Sequence, residues 1–267
     1  MATTQSAAAK TPQPGDSYVQ SFARGLEVIR SFSAQAPQQT LTEVAARSGL
    51  TRAGARRILL TLLTLGYVET DGKYFSLTPR ILDLGFAYLS SMPIWNLAEP
   101  VMEGLVEQIK ESSSAAVLES TDIVYVLRVS THKIMSISLG VGSRLPAYCT
   151  SMGRMLLADA PQAQVRKILA ASKIQPLTRH TLTDIDDVLA QIDQARRQGW
   201  CLVNQELEEG LISIAAPITN RAGRTVAALN ISGQANRTSA RVMQDSMRPA
   251  LLEAAQAISR LLSSRRA

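Results

Sequence analysis

The sequence predicts an α+β chain in two parts: an N-terminal winged helix-turn-helix domain and, beyond a linker helix, a larger α+β domain built on an antiparallel sheet. Three observations predict it. Two short amphipathic helix patterns joined by a Gly-containing turn occupy residues 41–65, and a hairpin signal follows at residues 66–77. From residue 115 the apolar pattern changes from helical spacing to alternation, then mixes both periods to the end of the chain. The 267 residues, 46% of them hydrophobic, are enough for two buried cores.

The first helix of the pair starts with Thr40-Leu41-Thr42-Glu43, where a hydroxyl residue precedes a glutamate by three positions and each side chain can satisfy an open amide. The spacing predicts a helix from Leu41 with Leu41, Val44, Ala45 and Ser48 on one face, stopped by Gly49. Thr51 caps a second helix over residues 52–65, whose apolar face is Ala55, Ile58, Leu59, Leu62 and Leu65. At about 100° per residue, the opposite face carries Ala53, Arg56 and Arg57, with Arg52 at its edge. Four arginines and no acid lie between Arg47 and Val68. A guanidinium fork takes two acceptors on guanine or grips a phosphate, so this face suits double-stranded DNA. Asp71-Gly72 between two apolar runs predicts a tight hairpin, read as a wing with Lys73 near its tip. An ordinary helical pair with a solvated basic face is the competing reading, and the wing and the missing acids weigh against it.

Charge distribution points the same way. The net charge is +6 and the pI about 9.6. Residues 18–80 hold eight basic and four acidic side chains, residues 81–267 nineteen and seventeen, so the excess sits in the smaller part. No apolar run reaches the roughly 18 residues of a membrane span, and residues 1–17 lack the apolar core of a signal peptide, which predicts a cytoplasmic protein with no membrane partner. Two cysteines, Cys149 and Cys201, and two histidines, His132 and His180, make neither a disulfide framework nor a zinc-ligand spacing. No cofactor is expected.

Taken in order, residues 1–17 read as a disordered tail, 18–78 as the winged helix-turn-helix domain, 79–92 as a linker helix and 93–264 as the second domain. Residues 18–32 predict an amphipathic helix behind the helix-turn-helix, from which Arg24 can reach a phosphate or simply face solvent. The linker pattern, Ile81, Leu82, Leu84 and Tyr88, is apolar on more than one side. Beyond Ser90-Ser91-Met92-Pro93 come a helix at 94–110, strands at 115–119, 123–129 and 134–139, helical spacing at 150–170 and 184–198, strands at 200–203, 211–217 and 224–232, and a closing helix at 238–262.

Catalytic motifs are absent from the second domain. Gly140-Val141-Gly142 lacks the third glycine of a dinucleotide loop, and no phosphate loop or nucleophile elbow occurs. A pairing of Cys149 with His132 or His180 stays open. The stretch from Gly142 to Met152 groups Arg144, Tyr148, Thr150 and Ser151 at the start of a helix, where a cation, hydroxyls and open amides suit a small carboxylate. A surface Arg144 with Thr150 as a plain cap is the equally weighted alternative.

Several runs resemble the IclR family of bacterial transcriptional regulators: residues 22–29 (FARGLEVI), 41–45 (LTEVA), 65–68 (LGYV) and 74–77 (YFSL). The run from Gly142 to Arg154 is most similar to members controlling aromatic-acid and β-ketoadipate catabolism. The resemblance implies a second domain akin to GAF and PAS sensor folds, binding an effector at Leu145, Ser151 and Met152 from the loop, Ile134 and Ile137 from the third strand, and Ser213, Asn230 and Ser232 from late strands. Val203 stands where some relatives carry an acid, with Asn204 or Glu206 as substitutes. The apolar members fit an aromatic or longer-chain carboxylate better than glyoxylate. It implies a homodimer or homotetramer and leaves RNA polymerase as a further candidate partner. The expectation is a non-enzymatic regulator of a catabolic operon; a ligand-independent architectural DNA binder and an enzyme with a basic accessory domain are the rivals.

Overall fold

The computed structural model describes residues 18–91, 94–131 and 139–264. The predicted tail, the Met92-Pro93 break, His132 and the strand carrying Ile134 and Ile137 lie outside the described residues. The chain divides into two compact units between Tyr88 and Leu89, inside the helix read as the linker.

In the first unit, α1 (Gln20–Arg30) is followed by β1 (Gln38–Thr40), α2 (Leu41–Arg47), α3 (Arg52–Thr64), β2 (Val68–Thr70) and β3 (Tyr74–Leu77). The capping box forms: Glu43 Oε2 accepts from Thr40 N at 2.7 Å, and Thr40 Oγ1 accepts from Glu43 N at 3.4 Å. Gly49 takes φ +66°, the left-handed conformation that ends α2. Val28, Phe32, Val44, Ala45, Ala55, Leu59, Leu62 and Val68 form the core. Leu65, assigned to the apolar face, is instead 51% exposed because α3 has ended at Thr64. The sheet has an unforeseen member: β1 pairs with β3, giving the order β1-β3-β2. Gln38–Thr40 has no alternating pattern to announce it.

A 3-10 turn at Pro79–Ile81 leads into α4 (Leu82–Ser91). On α4 the side chains of Leu82, Leu84, Phe86 and Tyr88 are exposed.

The second unit contains α5 (Ile94–Ile109), β4 (Ser112–Glu119), β5 (Asp122–Val129), β6 (Arg144–Pro146), α6 (Ser151–Ala158), α7 (Gln162–Ala171), α8 (Ile185–Gln198), β7 (Cys201–Asn204), β8 (Leu211–Thr219) and β9 (Thr225–Gln234). The C-terminal helical run is α9 (Ala240–Val242), a π turn at Met243–Met247 and α10 (Arg248–Ser264). Six antiparallel strands lie in the order β6-β5-β4-β9-β8-β7. One sheet face packs on α6, α7 and α8, the other on α5 and α10, giving two separate cores. Two expectations change. The helical spacing over 150–170 is broken at Pro161 into two helices, and Arg144–Pro146, read as loop, is an edge strand on β5. β4 starts at Ser112, ahead of its apolar run, because Ser112, Ser113 and Ser114 are buried and hydrogen-bonded.

Candidate functional site

The first candidate surface is α3 with its wing. Thr51 Oγ1 accepts from Gly54 N at 3.1 Å, which fixes the start of the helix and spends the hydroxyl on the cap. Arg52, Ala53, Arg56 and Arg57 are exposed. Among the described residues no acid pairs with Arg52, Arg56 or Arg57, so their charge faces outward undiminished. At the hairpin tip Gly72 takes φ +99°, and Asp71 Oδ1 accepts from Lys73 N at 2.8 Å and Tyr74 N at 2.7 Å. These backbone donors hold the Asp71 carboxyl below its ordinary pKa. Lys73 Nζ lies 4.9 Å from the centre of the Tyr74 ring. Arg24 is exposed on α1.

The second site is a narrow cavity between α6 and the face of the large sheet. Leu145, Thr150, Ser151, Met152, Val203, Ser213, Asn230 and Ser232 line it, eight of the residues expected from sequence. Ser151 Oγ and Ser213 Oγ share a hydrogen bond of 2.8 Å, and Asn230 Oδ1 accepts from Ser114 N at 2.9 Å. Polar atoms therefore run along one wall, with Leu145, Met152 and Val203 supplying apolar surface. Thr150 Oγ1 caps α6 by accepting from Gly153 N at 3.2 Å and donates to Pro146 O at 3.0 Å. Gly153 is there for space: a Cβ on it would sit 2.2 Å from Ala147 O.

Three expected members are placed elsewhere. Arg144 sits on an edge strand with its guanidinium on Glu119 and Asp122, and these carboxylates hold it protonated beyond its ordinary range. Tyr148 is buried, but its hydroxyl donates to Gln175 O at 3.0 Å and accepts from Gln175 N at 3.1 Å, tying down the loop after α7. Asn204 is exposed at the end of β7. Glu206 does not stand in for a cavity acid either. Arg154 grips both its oxygens, at 2.7 and 2.6 Å, with Arg154 1% and Glu206 7% exposed.

The cavity has five lining residues that sequence reading missed: Tyr125, Leu139, Cys149, Leu207 and Leu211. Leu211 had a usable signal, since it lies two positions from Ser213 on the same strand and so shares its sheet face. Leu207 had none, because its place depends on the Arg154–Glu206 bond beside it. A wider concavity near Glu208, Glu209 and Asn236 is open to solvent and mostly polar, unlike a small-molecule cleft.

Cys149 and Cys201 are buried, and burial pushes both thiols up to about 12. At pH 8 the thiolate fraction is then on the order of one in ten thousand, too small for a nucleophile. His180 is exposed and accepts from Arg179 Nε at 3.2 Å. A thiol-disulfide reagent at pH 8 is expected to leave both cysteines unmodified in the native protein and to titrate both after unfolding. One thiol reacting at once in the native protein would contradict this burial.

An exposed basic helix with a wing, and a second unit holding a small-molecule cavity, are the parts of a ligand-sensing DNA-binding regulator. The chain belongs to the IclR family of bacterial transcriptional regulators: residues 21–72 match the IclR helix-turn-helix domain and residues 86–260 the bacterial transcriptional regulator IclR C-terminal domain. It is 42% identical to the Pca regulon regulatory protein of Pseudomonas putida, over 90% of this chain and 82% of that protein. A transcriptional regulator from Rhodococcus sp. RHA1 is similar in structure, with TM-score 0.82 and 47% identity over 92% of this chain and 98% of that one. An IclR homologue from Microbacterium hydrocarbonoxydans, solved with 4-hydroxybenzoate, has TM-score 0.77 and 26% identity over 91% and 98%.

Proposed function

We propose that this regulator reads duplex DNA with Arg52, Ala53, Arg56 and Arg57 of α3 and Lys73 of the wing, and that an aromatic carboxylate in the α6 cavity controls it. The observation that carries the reading is the cavity's composition. Hydroxyls and an amide, Ser151, Ser213, Asn230 and Ser232, line the cavity together with apolar Leu145, Met152 and Val203. The bound 4-hydroxybenzoate in the Microbacterium homologue and the name of the Pseudomonas putida relative support an aromatic-acid pathway.

The same reading makes the chain a cytoplasmic homo-oligomer without catalytic activity, with RNA polymerase as a candidate contact where it activates. Exposed Leu82 and Phe86 on α4, 69% and 68% accessible, favour self-association. The high-pKa thiols and solvated His180 argue against an enzyme. Among the described residues no helix is long and apolar enough to cross a membrane.

Thermal unfolding of the full-length protein against 4-hydroxybenzoate, protocatechuate, β-ketoadipate, glyoxylate and pyruvate tests this. A ligand at 100 times its dissociation constant stabilises by about 2.7 kcal/mol. We expect a rise with an aromatic acid and none with glyoxylate. A shift with glyoxylate alone would assign the cavity to short acids.

A further inference from the structure

The wall of the α6 cavity carries no charge. Among the described residues, the thirteen that line it include no acid, lysine, arginine or histidine, while Arg144 and Arg154 are held by Glu119, Asp122 and Glu206. Of those thirteen, only neutral donors can meet a carboxylate. We propose that the hydroxyl of Tyr125 on β5 donates to the effector's carboxylate and sets the preference for an acid, an inference that rests on the reading of this cavity as the effector site.

A bulge in β5 turns Tyr125 to the cavity side of the sheet. Ala115 of β4 pairs with Leu127 and Ala116 with Tyr125, so Val126 is the extra residue and the alternation of β5 changes sides there. Leu127 and Val129 pack on the core beside α5 and α10, and in an unbroken strand Tyr125 would follow them. Instead Val126 joins that core, and Tyr125 joins Ile123 and Ala116 on the α6 side. Its backbone is pinned as well: Tyr125 N donates to Ser143 O at 3.0 Å, and Tyr125 O accepts from Gly142 N at 2.8 Å. The residue is therefore in place before a ligand arrives.

The fold leaves the hydroxyl unused. Tyr125 is 5% exposed, yet its Oη has no hydrogen-bond partner among the described residues. The side-chain polar atoms sealed away without a partner are Gln39 Oε1 and Trp95 Nε1, so Tyr125 Oη still meets open space. Buried polar groups are nearly always paired, and an unpaired one in a cavity wall is a place for a ligand atom. Thr150, by contrast, donates to Pro146 O, and Ser151 and Ser213 bond each other. Ser232 keeps a free hydroxyl too, but a phenol is the more acidic donor and makes the stronger bond to an anion. Burial pushes the Tyr125 phenol up to about 12, so at neutral pH it stays protonated and adds no negative charge to repel an acid.

Calorimetric titration of the full-length protein with 4-hydroxybenzoate and with 4-hydroxybenzamide, its neutral counterpart, tests this on Tyr125→Phe, which removes the oxygen and keeps the ring. The variant is expected to weaken the acid by about 10- to 100-fold, the range for a hydrogen bond to a charged group, and the carboxamide by less than about fivefold. Free of ligand it should melt at or above the wild-type temperature, since the hydroxyl it loses has no partner in the fold. Acid affinity within about threefold of wild type would overturn the role of Tyr125 and leave the aromatic-acid reading intact. Equal losses for the two ligands would set the hydroxyl against the ring end of the ligand, and a ligand-free variant melting several degrees lower would make it a structural group; either overturns the carboxylate role alone. A wild-type protein that binds neither compound would overturn the role of Tyr125 and the aromatic-acid reading together.

Discussion

Replacing Glu206 by Gln is expected to lower the unfolding temperature of the C-terminal unit by on the order of 10 °C, the largest stability effect of any single charge removal in this protein. The reason is the setting of its partner. Arg154 is 1% exposed, donates through both Nη atoms to Glu206 and through Nε to Tyr148 O at 2.8 Å, while Glu206 also accepts from Leu182 N at 3.2 Å. The substitution leaves a buried guanidinium facing a neutral amide, a cost of about 3–5 kcal/mol. Arg154→Met strands the carboxylate and is expected to cost as much. Combining Arg154→Met with Glu206→Leu removes both charges, so the double variant should melt above either single one. A scan in which Glu206→Gln melts within about 2 °C of wild type would mean that water reaches the pair. The bond also bears on the cavity, because Glu206 precedes Leu207 and Arg154 lies on the helix that carries Ser151 and Met152.

The second large effect is on DNA. Arg56→Ala and Arg57→Ala are each expected to weaken binding to a promoter duplex by roughly 1–3 kcal/mol, about 5- to 150-fold, if they reach base edges. A residue that meets only phosphate would weaken all sequences alike and lower the salt slope by about one. Both side chains are exposed beside a helix start already capped by Thr51, so neither variant should disturb the fold. Salt-dependent anisotropy titrations distinguish the two roles. Unchanged affinity in both variants would remove this face of α3 from the interface.

Local chemistry was legible in the sequence and distant pairing was not. The Thr40–Glu43 box, the Thr51 cap, Gly49 and the Asp71-Gly72 turn act within a few residues of themselves, and α2, α3 and the wing formed where they indicated. β1 and β6 depend on partners far along the chain and carry no pattern of their own. Ser112, Ser113 and Ser114 are polar yet buried, since the sheet and its side chains satisfy them, and a hydropathy pattern cannot register that. In the cavity, serines and apolar residues were placed through family motifs. Between the two readings of Arg144 the sequence could not choose, because charge alone does not reveal which carboxylates fold against it: Glu119 and Asp122 lie 25 and 22 positions earlier.

The central claim is that occupancy of the α6 cavity changes the grip on DNA, and the most direct test is the affinity of the full-length protein for its promoter duplex with and without a saturating aromatic acid. A change of about 5- to 150-fold is expected, the usual range of coupling between two sites, in whichever direction the regulator works. An affinity unchanged by every acid that binds the protein would contradict it and leave a DNA binder that its ligand does not control.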